Sequence, residues 1–136
     1  MKSVTITPSK LNGSVTLPPS KSLCHRAIIC AALAEGISEI KNVGTSDDIE
    51  VTINAMKSLG AVISYDGDRI IVDGTNTLKN ENSLTLDCGE SGSTLRFLIP
   101  LALHCPSTVT FTGRVRLPQR PLDTFYTIFD RFNISY

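Results

Sequence analysis

Two segments of the chain each set an arginine one helical turn inside a helix start rich in serine and glycine. The first is Pro19-Ser20-Lys21-Ser22-Leu23-Cys24-His25-Arg26, which leads into the apolar residues 27–34. The second is Gly89-Glu90-Ser91-Gly92-Ser93-Thr94-Leu95-Arg96, which leads into residues 97–103. With Arg26 laid on Arg96, Ser22 falls on Gly92 and Leu33 on Leu103. A helix start presents unpaired backbone N–H groups and the positive end of the helix dipole, so it attracts anions. Two such starts in one chain point to a ligand with more than one anionic group.

Lys21, Ser22 and Arg26 bring a mobile ammonium, a hydroxyl and a planar guanidinium together, and Ser22 and Arg26 share a helix face. Arginine grips a carboxylate or phosphate with paired N–H bonds, whereas lysine acts as a movable point charge. The plainer alternative is a solvated helix start with Arg26 in a surface ion pair. Against it, cations oppose the dipole at that end, and an arginine leading into an apolar run is costly without a partner. The second segment is not a Walker A loop, because the Gly-Lys-Ser/Thr ending is absent. Gly92 reads equally as a ligand-facing position or as a plain turn glycine. Arg114, Arg116 and Arg120 stand between Gly113 and Pro121, where Pro118 and Pro121 keep the backbone out of a regular helix. Charge clusters on loops are usually solvated. This one follows a strand at the end of the unit where the helix entries lie, which is where α/β folds gather ligand groups. His25 and His104 lack metal-ligand spacing, and Asp47-Asp48 suits a helix start better than an acid pair, so no metal site is expected.

Holding these groups in place takes alternating strands and helices. Residues 3–7 and 13–17 alternate like strands, and Pro18-Pro19 stops the extended run. Ser20 is placed to cap the first helix and Gly36 to end it. That helix is apolar all round after Arg26, which predicts burial on most faces. A strand over 38–43 leads to a second helix capped by Thr45 or Ser46, with Asp47, Asp48 and Glu50 favourable to its dipole. Ile49, Ile53, Met56 and Leu59 follow helical spacing there, and Gly60 ends it. Residues 61–65 and 69–72 read as a hairpin around Asp66-Gly67-Asp68. After a polar loop over 74–83 the order restarts with a strand at 84–87 and a helix from Gly92 to about His104. A strand at 108–112 and a helix at 122–132 follow, and residues 133–136 would begin one more strand. Pro100 removes a helical hydrogen bond and predicts a kink or a late start. The fold class is α/β, with right-handed parallel crossovers, in two units of which the second is incomplete.

Bulk properties agree with a globular chain. Its 136 residues suit one domain, and its 13 Lys and Arg balance 13 Asp and Glu. Zero net charge argues against a general nucleic-acid or membrane-surface binder, so any anion site is a local arrangement. Cys24, Cys30, Cys88 and Cys105 form no Cys-x-x-Cys pair and read as reduced core thiols of a cytoplasmic protein. Residues 1–7 lack the apolar core of a signal peptide, and residues 27–34 are too few to span a bilayer.

Taken together, Lys21-Ser22 with Arg26, the Glu90-to-Arg96 segment, and Arg116 with Arg120-Pro121 resemble the amino-terminal part of the 5-enolpyruvylshikimate-3-phosphate synthase family (3-phosphoshikimate 1-carboxyvinyltransferases). Ser46-Asp47-Asp48 fits the same pattern, and the resemblance spans essentially the whole chain. It implies an inside-out α/β barrel of repeated βαβαββ units, with unit one over about 13–73 and a truncated unit two over about 83–136. It implies shikimate 3-phosphate and phosphoenolpyruvate as substrates, no cofactor or metal, and no nucleic-acid or membrane partner. By the resemblance, Lys21 contacts both substrates and acts in catalysis. Ser22 and Arg26 bind shikimate 3-phosphate, with Arg26 on its carboxylate; Gly92 and Arg120 hold phosphoenolpyruvate; Arg96 and Arg116 line the site. Glu90 departs from the family, where many members have Asn.

Family members are far longer than this chain, and their acid/base carboxylates lie in a carboxy-terminal portion absent here. The expectation is therefore a fragment that needs that domain for a complete site and is inactive alone. The strand at 3–7 is expected to belong with the other domain. Two alternatives stand beside it. The transferase acting on UDP-N-acetylglucosamine typically has Lys-Asn where this chain has Lys21-Ser22, and a reactive cysteine in the loop that here holds residues 115–119. A βαβαββ RNA-binding module would show a steep salt dependence, which a neutral chain with few aromatics does not favour.

Overall fold

The computed structural model describes residues 3–136. Ser20 opens the first element as a cap: its side chain accepts from the Leu23 amide at 3.4 Å, and helix α1 runs Lys21–Leu33. Strand β1 (Ile37–Lys41) follows, then helix α2 (Asp47–Ser58), whose cap is Ser46, accepting from the Ile49 amide. Asp47, Asp48 and Glu50 lie in the first turn of α2 and Lys57 in its last, both favourable to the dipole. Strands β2 (Val62–Asp66) and β3 (Arg69–Asp73) make the expected hairpin. The turn glycine between them, Gly67, sits at φ +63°, where a side chain would be strained.

β3 lies between β1 and β2 and is antiparallel to both, with Ile37 and Val62 each opposite Asp73. β1 and β2 therefore run in the same direction, with α2 as their crossover and β3 as the hairpin return. The second sheet pairs β4 (Leu84–Asp87) with β5 (Val109–Thr112) in parallel, in register from Leu84–Val109 to Asp87–Thr112. Helix α3 (Gly92–Ala102) is the crossover between them. A single 3₁₀ turn, Leu117–Gln119, precedes helix α4 (Asp123–Arg131). The molecule is a mixed α/β fold.

One apolar core joins the two sheets. Ile28 of α1, Ile49, Ile53 and Met56 of α2, Ile70 and Val72 of β3, Leu86 of β4 and Leu98 of α3 are each at most 1% exposed. Burying such a side chain contributes about 1.5–3 kcal/mol, far more than any surface pair, so this cluster fixes α2 between α1 and α3. A second cluster of Cys88, Leu95, Ile99, Leu117 and Phe129 seats α4 and the 3₁₀ turn against α3.

Several expectations need correction. Residues 3–7 and 13–17 form no strand; they are exposed chain outside either sheet. Residues 133–136 likewise form no strand. α1 buries Cys24, His25, Ile28, Ile29, Ala31 and Ala32 but leaves Leu23, Cys30 and Leu33 exposed, so one stripe of an apolar helix is uncovered. Cys30 is therefore not a core thiol. Pro100 neither delays α3 nor ends it; the helix starts at Gly92 and passes through. Among the described residues no helix is long and apolar enough to cross a membrane.

Candidate anion-binding site

Both arginine motifs adopt the same local geometry. Arg26 Nη1 donates to the Ser22 carbonyl at 2.8 Å, and Arg96 Nη1 donates to the Gly92 carbonyl at 3.3 Å. Each guanidinium is thus folded back one turn to its own helix start, where it adds charge to the N–H groups already there. Arg26 also lies over the Phe97 ring, with Cζ 4.9 Å from the centroid, so the first motif touches the helix of the second. That contact favours a cation on an aromatic face. Each guanidinium has five N–H donors, and these contacts leave others for an anion.

Lys21 is tethered rather than locked. Its Nζ is 2.7 Å from Asp48 Oδ2, with side chains 56% and 31% exposed. Ion pairs this open contribute about 0–1 kcal/mol, so an incoming dianion can draw the ammonium away. Asp48, read from the sequence as a helix-start residue, thus also ties the start of α2 to that of α1. Ser22 is exposed beside Lys21.

Around Gly92 two chain segments converge, the start of α3 and the arginine loop. A Cβ placed there would overlap Arg120 Nη1 and lie 3.1 Å from Arg96 Nη1 and 3.3 Å from Arg120 Cζ. The Arg120 guanidinium therefore occupies the space that a side chain would fill at the start of α3, and the Arg96 guanidinium borders it. Ser91 caps that helix, accepting from the Thr94 amide at 3.2 Å. Arg96 Nη2 donates to the Pro121 carbonyl at 3.0 Å, which fastens the arginine loop to α3. The loop itself is anchored where the Arg114 amide donates to the Gly89 carbonyl at 2.7 Å. Leu117 is buried beneath Gly113, so the 3₁₀ turn holds Arg116 and Arg120 at its two ends. Val115, between Arg114 and Arg116, sits at φ +54°, a costly conformation for a β-branched residue. Arg116 is exposed at one end of the 3₁₀ turn, and Arg120, at the other end, reaches the helix start at Gly92. Glu90 is an exposed turn residue and makes no ion pair among the described residues.

A buried polar line that sequence reasoning missed runs beneath both helix starts. His25 Nδ1 and Thr52 Oγ1 are 2.7 Å apart, Thr52 Oγ1 and Thr94 Oγ1 2.7 Å, and Thr94 Oγ1 donates to Ser91 Oγ at 2.7 Å. Thr52 lies beside Ile49, Ile53 and Met56 on the buried face of α2; a hydroxyl at that place in the apolar pattern was the available signal. Burial holds the His25 imidazole below its ordinary value of 6.5; Asp48 opposes this, and Lys21 and Arg26 add to it. No cluster of His, Cys, Asp and Glu among the described residues could hold a metal ion.

A family model described as EPSP synthase (3-phosphoshikimate 1-carboxyvinyltransferase) matches residues 6–135. The 3-phosphoshikimate 1-carboxyvinyltransferase of Clostridium perfringens (strain SM101 / Type A) is 54% identical over 136 residues, covering 100% of this chain and 32% of that protein. The protein of the same name from Clostridioides difficile (strain 630) is 51% identical over 145 residues, covering 100% and 33%. Among solved structures, an EPSP synthase from Acinetobacter baumannii superposes with a TM-score of 0.73 at 22% identity, covering 90% of this chain and 28% of the other. That likeness concerns the fold alone. The chain spans about a third of the length of the curated relatives it matches.

Proposed function

Because this chain belongs to the EPSP synthase family, we propose that it is the amino-terminal, substrate-holding part of an enzyme that transfers the enolpyruvyl group of phosphoenolpyruvate to the 5-hydroxyl of shikimate 3-phosphate. The observation that carries the assignment is the convergence of Arg96 and Arg120 on the side-chain-free face of Gly92, at the start of α3. A helix start backed by two guanidinium groups suits a compact ligand bearing both phosphate and carboxylate, as phosphoenolpyruvate does. The companion start on α1, with Lys21, Ser22 and Arg26, suits a second anion, and Arg26 suits a carboxylate.

Lys21 stands at the first helix start within reach of charge on either ligand once Asp48 releases it. In the reaction, C3 of phosphoenolpyruvate takes a proton while the 5-hydroxyl oxygen adds to C2. The tetrahedral adduct then loses a C3 proton and inorganic phosphate, leaving the enol ether. Cationic groups fixed around phosphate and carboxylates offset the charge that develops in those steps. The groups that move protons belong to a carboxy-terminal domain beyond the length spanned here, which also completes the repeated βαβαββ barrel. In that arrangement unit one covers about 13–73, unit two about 83–136, and residues 3–7 pair outside the chain. A cytoplasmic location goes with the assignment.

Phosphate release tests it. The 136-residue chain mixed with both substrates should stay at the no-enzyme background, and the polypeptide extended to the length of its relatives should release phosphate only when both substrates are present. An extended polypeptide that releases none, or that needs no shikimate 3-phosphate, would overturn the assignment.

A further inference from the structure

The line of buried side chains beneath the two helix starts has a definite direction. Each hydroxyl carries one proton. Thr94 Oγ1 donates to Ser91 Oγ, so towards Thr52 it offers only lone pairs, and Thr52 must donate across their 2.7 Å separation. The 3.1 Å approach of Thr52 Oγ1 to the Asp48 carbonyl is the longer and weaker alternative for that proton. With the Thr52 proton used, His25 must donate from Nδ1, which makes it the neutral Nδ1–H tautomer. The choice also agrees with its other nitrogen, Nε2, which is buried without a partner among the described residues. A buried orphan acceptor is tolerated more often than a buried orphan N–H, which the opposite tautomer would create.

The line crosses three helices: His25 is on α1, Thr52 on α2, and Thr94 and the cap Ser91 belong to α3. All four side chains are at most 1% exposed. His25 adjoins Arg26, and Ser91 adjoins Gly92. Apolar packing between helices is non-directional and tolerates small slides, whereas successive hydrogen bonds in a dry core set both distance and orientation. We propose that His25, Thr52 and Thr94 are positioning residues, whose relay fixes the separation of the α1 start bearing Lys21, Ser22 and Arg26 from the α3 start bearing Gly92 and Arg96. The inference rests on the two-substrate function proposed above, and its consequence is coupling: occupancy of one start prepares the other.

Thr52 touches neither proposed ligand site, so it is the residue to vary. Thr52→Val keeps the shape and removes the hydroxyl; Thr52→Ser keeps the hydroxyl and loses a methyl. Nitrogen-15 NMR of His25 in the unliganded 136-residue chain should show a protonated Nδ1 and an unprotonated Nε2. That pattern should survive Thr52→Ser and be lost in Thr52→Val. Calorimetry on the polypeptide extended to the length of its relatives, with phosphoenolpyruvate alone and over saturating shikimate 3-phosphate, reads the coupling. Thr52→Val should weaken the second titration by about tenfold, while the first shifts by less than about twofold, and Thr52→Ser should restore it. A purely structural role would lower melting temperature in both variants without separating the two titrations. Protonation at Nε2, or unchanged coupling in Thr52→Val, would overturn the proposal. If the extended polypeptide releases phosphate yet Thr52→Val leaves the coupling unchanged, the proposed function stands and the positioning role falls; if it releases none, the function falls and the tautomer result still decides separately whether the relay exists.

Discussion

Gly92→Ala separates binding from folding at one position. Gly92 is the first residue of α3, so alanine suits its backbone. Replacing glycine at a compatible position raises stability by about 0.4–1 kcal/mol through the unfolded chain. The new methyl collides with the far end of the Arg120 side chain, which is exposed and flexible, so the fold loses little when that group swings away. The ligand site loses more. A hydrogen bond to a charged group contributes about 1.5–3 kcal/mol, so a displaced Arg120 should weaken phosphoenolpyruvate binding by roughly ten- to a hundredfold. Arg26, Ser22 and Lys21 are untouched, so affinity for shikimate 3-phosphate should change by less than about twofold. Calorimetric titration of each substrate into the full-length polypeptide, beside thermal melts followed by circular dichroism, measures both halves. Equal losses for the two substrates with a lower melting temperature would mean that Gly92 is a folding glycine. Unchanged phosphoenolpyruvate affinity would mean that Arg120 plays no part in holding it.

Three other outcomes follow from the same geometry. Arg26→Lys should weaken shikimate 3-phosphate binding about tenfold or more, because an ammonium cannot make the paired bonds of a guanidinium; calorimetry at matched ionic strength checks it, and unchanged affinity would leave Arg26 a structural cation stacked on Phe97. The pH dependence of stability should carry a His25 signature. Its folded value lies below the ordinary 6.5, so the unfolded chain binds the extra proton first, and stability present above pH 6.5 is lost as pH falls below it. Thermal melts between about pH 7 and 5 should show that slope, and His25→Asn should flatten it. Glu39 and Asp73, held below the ordinary carboxylate range by bonds to Arg69 and Thr75, act only at lower pH. Among the thiols, Cys30 is exposed whereas burial pushes Cys88 up to about 11. An aromatic disulfide reagent near pH 8 should therefore label Cys30 quickly and reach Cys88 only on unfolding; equal rates would contradict the burial.

What could be read from sequence was what depends on local pattern. Ser20 was expected to cap α1 and Thr45 or Ser46 to cap α2, and Ser20 and Ser46 do so; the Ser91 cap of α3 came from the structure, and the turn around Gly67 was legible from Asp-Gly-Asp. The placement of each arginine one turn inside its helix was also legible; the bond from each guanidinium back to the carbonyl four residues earlier came from the structure. Contacts between elements were not legible. Nothing in Ser-Asp-Asp tells that Asp48 meets Lys21, and that Arg120 meets Gly92 was expected from the family resemblance rather than from any pattern within the chain. Thr52 looked like one polar residue in an amphipathic helix; its partners come from α1 and α3. The strands expected at 3–7 and 13–17 have the right alternation, but a strand also needs a neighbour, and periodicity does not supply one.

The central claim is that two cationic helix starts hold two different anions. Backbone amide shifts followed by NMR during separate titrations of shikimate 3-phosphate and phosphoenolpyruvate test it most directly. Shikimate 3-phosphate should move the amides of Ser22, Leu23 and Arg26, and phosphoenolpyruvate those of Gly92, Ser93 and Arg120. Shifts confined to one start for both ligands, or spread evenly over exposed lysines and arginines, would contradict it.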